Sequence, residues 1–301
     1  RNNGIGIAGV ADDVKILPVR VLGKCGGTFE DVLEGMLWAS GVPIAGVPSN
    51  ENPAKVINLS LGGYGACDQA MQEAVDLALA QGSVIVAAAG NSSLEAADVA
   101  PANCSGVITV GAHGAQGELT SYSNFGRRID LTAPGGDRPL TDLIFGLTND
   151  GVTVPTEPSY GYAAGTSFAA PLVSGVAAML IARDGLVTGG RVLDILTGTA
   201  RNWPAGSPCG VPNVCGAGIL DAATAVGSLL PGGGAAPPGA TPVVEYYRAD
   251  LDHYFITADP AEAAWIDANL GDIFKRTGLY FYAWLNPGNA PADVQPVCRF
   301  Y

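Results

Sequence analysis

Short, continuously apolar runs alternate with helix-like stretches through the first half of the chain, and this alternation narrows the fold more than any other feature. Residues 14–22 (VKILPVRVL) form a β-branched run that suits a buried strand. Thr28 to Ser40 follows, with Thr28 placed to cap a helix and Phe29, Val32, Leu33, Met36 and Leu37 at helical spacing. Residues 55–61 (KVINLSL) read as the next strand, and residues 68–81 as a helix running from Asp68 at its cap to Gly82 just past its end. Strands are then expected at Ser83–Ala89, Val107–Ala112 and near Ile129–Ala133. Strands that are apolar on both faces, separated by helices, imply a parallel sheet covered on both sides. Right-handed crossovers would make it doubly wound, so the expected class is α/β.

The texture changes further on. Residues 231–242 (PGGGAAPPGATP) cannot build a core and read as a linker. Beyond it lie six of the ten tyrosines, together with Trp265 and Trp284. That enrichment predicts a second, smaller, β-rich domain over 243–301, after a first domain over 1–229 and a linker over 230–242. Val243-Val244-Glu245-Tyr246-Tyr247 is similar to Val297-Cys298-Arg299-Phe300-Tyr301, as if a second repeat begins where the chain stops. At the other end, Arg1-Asn2-Asn3-Gly4 reads as the interior of a longer sequence.

Charge and cysteines exclude several functions. A net charge of −13 argues against a nucleic-acid groove, which needs clustered Lys and Arg. No run of 18 or more apolar residues occurs, so no membrane span is expected; the longest candidate, 168–182, is broken by Pro171, Ser174 and Gly175. The cysteines at 25, 67, 104, 209, 215 and 298 form no C-x-x-C pair and share the chain with only two histidines, so a zinc cluster is not expected. Disulfides in an oxidising compartment or reduced core cysteines remain. Cys209 and Cys215 flank a loop that could close on itself, and Cys67 and Cys104 sit beside loops around a shared strand, whereas Cys25 and Cys298 lack evident partners.

Three motifs carry chemistry. In Gly165-Thr166-Ser167-Phe168-Ala169-Ala170-Pro171 a serine stands at a glycine turn that enters an apolar helix, exposing its hydroxyl beside free N–H groups. Pro171 is expected in the first turn, where no helical N–H bond is lost. On its own, Ser167 could equally be a helix cap. Residues 83–91 (SVIVAAAGN) deliver small side chains and then Asn91 at a strand's C-terminal end, where parallel α/β sheets gather ligands. An Asn amide there can donate to an oxyanion, or Gly90 and Asn91 can simply form a turn. Asn58 to Gly63 (NLSLGG) is a strand end able to pair with an extended peptide, or an ordinary glycine turn.

In this order the three motifs resemble the subtilase (subtilisin-like serine peptidase) family, from about residue 4 to residue 227. Further similar stretches are 108–112 (ITVGA), 121–126 (SYSNFG) and 133–135 (APG). The resemblance implies a subtilisin-like fold, incomplete at its N-terminus, in which Ser167 is the nucleophile and the Ser167 amide and Asn91 side chain form the oxyanion hole. It implies that Ser60, Leu61 and Gly62 line one side of the substrate cleft, and that Ala88, Ala89 and Gly90 wall the pocket for the residue before the scissile bond. It also implies a cis bond before Pro101, protein or peptide substrates, secretion from a bacterium, and disulfide loops at 67/104 and 209/215. No organic cofactor is expected, and structural calcium rests on the resemblance alone, because no D-x-D-x-D-G loop is present. The family's Asp and His, the latter in an H-G-T-H context, have no counterpart here and would precede residue 1, so this chain alone is expected to be nearly inert.

His113 reads as a surface histidine rather than a base, and Asp12 and Asp13 as a solvated turn. Pairing Ser167 with His253 in α/β-hydrolase order would need G-x-S-x-G, whereas Gly165 to Ala169 is G-x-S-x-A. A sedolisin-like acid peptidase would carry Asp where Asn91 stands. A pseudoprotease or binding scaffold is the non-enzymatic alternative. Tyr246-Tyr247, residues 253–258 and residues 299–301 resemble an uncharacterised module of secreted bacterial proteins. Its aromatics would form a core, or contact a cell surface or polysaccharide.

Overall fold

The computed structural model describes residues 5–11, 14–139, 142–183, 188–229, 241–248, 250, 253–271 and 273–283. The chain forms two compact units, Arg1–Ala225 and Val226–Tyr301. In the first unit, helix α1 (Phe29–Ser40) starts at a reciprocal box. Thr28 Oγ1 accepts from the Asp31 amide at 3.1 Å, and Asp31 Oδ2 accepts from the Thr28 amide at 2.9 Å. Strands β1 (Val56–Leu59) and β2 (Gly63–Tyr64) follow, then α2 (Gln69–Ala80), whose cap Asp68 accepts from the Met71 amide at 2.9 Å. Next come β3 (Val84–Ala88), β4 (Val99–Ala100), β5 (Ile108–His113), β6 (Leu131–Pro134), the hairpin β7 (Ile144–Asn149) and β8 (Pro158–Ala163), α3 (Thr166–Arg183), α4 (Gly189–Gly198) and α5 (Ala222–Gly227).

The order β1-β3-β5-β6 is parallel throughout. Ile57, Leu59, Ile85 and Ala87 pack with Met36, Ala39, Met71, Val75 and Ala78 of α1 and α2. Alternate strand residues point the opposite way, toward α3, which packs on all four strands, and α4, which packs on β3. The sheet is therefore covered on both faces, as the apolar runs require. Helix α3 has the length and composition of a membrane span, 18 residues, yet Ala169, Ala170, Val173, Val176, Ala177 and Leu180 are buried. It serves as the sheet's core helix.

One expected strand is absent. Residues 14–22 pair with no strand among the described residues, and Ile16 is 81% and Val14 41% exposed. A β-branched run forms a strand only where a neighbour takes up its N–H and C=O groups. Here Val19 and Val21 instead lie over Gly35 of α1. The Ala100–Pro101 bond is cis, as the resemblance implied, and so is Arg138–Pro139. Cys67–Cys104 and Cys209–Cys215 are disulfides with S–S distances of 2.00 and 1.96 Å, while Cys25 is free and exposed.

The second unit has strands β9 (Thr241–Arg248), β10 (His253–Thr257) and β11 (Lys275–Ala283), with α6 (Pro260–Asn269) between the last two. The antiparallel order is β10-β9-β11. Tyr246 is fully buried among Ala263, Ile266, Phe255 and Phe274, and its hydroxyl bonds to Ala263 O and Asp267 Oδ1, each at 3.0 Å. Asp12 and Asp13, linker residues 230–240, Trp284, Cys298 and the repeat-like segment 297–301 lie outside the described residues.

Candidate active site

Gly165 turns the chain from β8 into α3 with φ +150°, and a Cβ there would stand 3.3 Å from Asn91 Nδ2. The turn is held from behind by Gly135, whose carbonyl accepts from the Gly165 amide at 2.9 Å and the Tyr122 hydroxyl at 2.8 Å. Burial pushes the Tyr122 phenol above its ordinary pKa, so it remains a donor. Ser167 is the second residue of α3, where N–H groups have no acceptor within the helix.

Pro171 is not in the first turn, because α3 already begins at Thr166. Lacking an N–H, it leaves the Ser167 carbonyl four residues earlier without its helical donor. The Ser60 hydroxyl fills that role, donating to Ser167 O at 2.8 Å, while Ser167 Oγ donates to Ser60 O at 3.2 Å. Asn58 completes the clamp. Its Nδ2 donates to Ser60 Oγ at 2.9 Å and its Oδ1 accepts from Ser174 Oγ at 2.9 Å.

Asn91 stands beyond the C-terminal end of β3. Its Oδ1 accepts from both the amide and the hydroxyl of Thr166 at 2.8 Å. With the oxygen so engaged, Nδ2 is left as the donor. Asn91 and Ser167 line one cavity of about 270 Å³, together with Leu61, Gly62, Gly63, Tyr64, Ala88, Gly90, Ser92, Val99, Asn124 and Thr166. A hydroxyl at a helix start, a side-chain amide and uncharged walls therefore share one opening. Among the described residues, no His, Asp or Glu lines this cavity.

The subtilase family model matches residues 1–218. The chain belongs to the subtilase family. It is 40% identical over 312 residues to the "Extracellular protease" of Xanthomonas campestris, an alignment covering 100% of this chain and 51% of that protein. It is 43% identical over 233 residues to the "Extracellular basic protease" of Dichelobacter nodosus, covering 76% of this chain and 37% of that one. It thus spans about half or less of the length of these two relatives. Among solved structures, a protease from Pseudoalteromonas arctica superposes with a TM-score of 0.72 at 45% identity, covering 76% of this chain and 67% of that one. A cold-adapted subtilisin-like serine proteinase gives 0.57 at 29% identity, covering 71% and 69%.

Within this subtilase chain the expected site residues fall into two groups. Leu61, Gly62, Ala88, Gly90, Asn91 and Ser167 come together around the cavity, and Ser60 is tied to Ser167 rather than lining the opening. Ala89 does not belong to the wall. Adjacent strand-end side chains alternate in direction, and Ala89 packs with Ala96 and Ile129. His113, expected at the surface, is only 5% exposed, because β5 carries it into the interior and the Gly114 carbonyl meets its Nδ1 at 2.8 Å. Burial, foremost, lowers its pKa below 6.5. His253 opens β10 in the second unit. Among the described residues no three His, Cys, Asp or Glu side chains converge as a metal site.

Sequence reasoning passed over Thr166, which orients Asn91, and Asn124, which lies inside the 121–126 stretch without standing out from it.

Proposed function

We propose that the protein containing this chain is a secreted bacterial serine endopeptidase that hydrolyses peptide bonds through an acyl-enzyme on Ser167. The observation that carries this reading is the shared cavity of Ser167 and Asn91, with Asn91 Oδ1 engaged by Thr166 so that Nδ2 is the free donor. Ser167 Oγ attacks the scissile carbonyl, giving its proton to a His base oriented by an Asp, both contributed by sequence ahead of residue 1. The negative charge that forms on the carbonyl oxygen is met by Asn91 Nδ2 and the Ser167 N–H. One such donor is worth about 10²–10³ in kcat. The protonated His then returns its proton to the leaving amine, and water releases the acyl group by the same route in reverse. Without the base the hydroxyl stays protonated. Loss of Ser or His from such a triad costs about 10⁶ in turnover.

Ala88, Gly90 and Val99 give the cavity an uncharged wall that favours apolar side chains before the cut, and the strand end at Leu61 and Gly62 offers backbone pairing to an extended peptide. Calcium remains a proposal by family analogy and enters no step. So does contact of the second unit with a cell-surface polymer. The full-length protein, given a peptide library, is expected to cleave after apolar residues and to lose cleavage on Ser167→Ala. Cleavage surviving that substitution, or concentrated after Arg and Lys, would contradict the reading. An inactive full-length protein whose fold is intact would instead favour the pseudoprotease alternative.

A further inference from the structure

Asn91 hangs from a segment, 89–94, that belongs to no strand. Asn124 lies across this segment and is only 1% exposed. Its Nδ2 donates to Ala89 O at 2.9 Å, and its Oδ1 accepts from the Ser92 amide at 3.0 Å and the Leu94 amide at 3.1 Å. Its own amide donates to Gly90 O at 3.0 Å. The Gly90 carbonyl and the Ser92 N–H belong to the two peptide groups that flank Asn91. Both are thus held by one residue.

The chemistry requires a carboxamide of this length. Two N–H groups converge on one oxygen while a carbonyl faces the nitrogen, so a flipped amide would set donor against donor. Aspartate has no donor for Ala89 O, leucine has neither donor nor acceptor, and serine is too short to span the segment. The fit also excludes a side chain at Gly90. That residue has φ +105°, and an added Cβ would collide with Asn124 Nδ2.

We infer that Asn124 is a positioning residue that acts through Asn91, holding its amide toward the oxyanion and, with it, the Gly90 wall of the pocket. This rests on the oxyanion role proposed for Asn91. The test is a double-mutant cycle on the full-length protein, measuring kcat and KM for a chromogenic peptide. Asn91→Ala is expected to lower kcat about 10²–10³-fold. Asn124→Ala is expected to lower kcat about 10–100-fold, the scale of a misplaced catalytic group, with KM moved much less. The double variant should lie within about threefold of Asn91→Ala, because once the amide is gone its support no longer matters. A residue that only maintains the fold would multiply the two losses.

Multiplied losses, or an unchanged kcat in Asn124→Ala beside a reduced one in Asn91→Ala, would overturn the inference alone. An unchanged kcat in Asn91→Ala would remove the oxyanion role and this inference together. If Asn124→Ala does not fold, Asn124→Asp, nearly the same shape and still able to accept both N–H groups, carries the same cycle to the same outcomes.

Discussion

At Ser167 the backbone is held more tightly than the hydroxyl: its carbonyl takes a 2.8 Å bond from Ser60, while its Oγ reaches Ser60 O at 3.2 Å. This suits a nucleophile, since the atom that must move is the less constrained one. Ser167 and Asn91 stood out in the sequence as candidates because one opens an apolar helix and the other follows a strand of small residues. Asn124 did not, because its role depends on four partners between positions 89 and 94, and one Asn in a polar stretch carries no sign of them. His113 misled for the opposite reason. Nothing around it in sequence reveals that β5 ends under cover.

His113 makes a stability prediction with a definite sign. Its folded pKa lies below 6.5, chiefly through burial, with Arg201 adding to the shift and the Gly114 carbonyl and Glu118 opposing it. Between the two values the unfolded chain binds more protons than the folded one. The stabilising contribution is therefore complete above about pH 6.5 and is lost as the pH falls toward the folded value. Thermal melts of the chain from pH 7.5 down to 5 should show a falling Tm that flattens in His113→Gln. An equal slope in both proteins would contradict this assignment.

Among elements, helices α1 and α2 were well predicted because their caps are local: Thr28 and Asp68 each bond within three residues. The four sheet strands were legible from apolar runs alone. Residues 14–22 carry the same composition and form no ladder, since strand formation depends on a neighbour that composition does not reveal. The hairpin β7–β8 was missed because Phe145, Leu147, Tyr160 and Tyr162 face outward, none of its residues is buried, and Gly146 and Gly161 interrupt its strands. The disulfides divide by loop length. Cys67–Cys104 closes 37 residues and joins the start of α2 to the loop after cis-Pro101, whereas Cys209–Cys215 closes 6. Loop-closure entropy assigns about 4 kcal/mol to the first and about 2 kcal/mol to the second. Denaturant melts should show the Cys67→Ser/Cys104→Ser pair losing clearly more stability than Cys209→Ser/Cys215→Ser. The reverse order would show that chain entropy is not what these bridges supply.

Across the whole molecule, the first unit is a sheet with helices on both faces, and its candidate site sits where β3 ends and α3 begins. That placement follows from the architecture, because a parallel sheet directs strand C-terminal ends and helix N-termini toward the same edge. The proposed nucleophile Ser167 lies at that edge, while the second unit keeps its own aromatic core around Tyr246. The most direct measurement is a crystal structure of the full-length protein reacted with a peptide aldehyde. A hemiacetal on Ser167 Oγ is expected, with its oxygen about 3 Å from Asn91 Nδ2. An adduct on another residue, or one whose oxygen faces away from Asn91, would contradict the proposed roles.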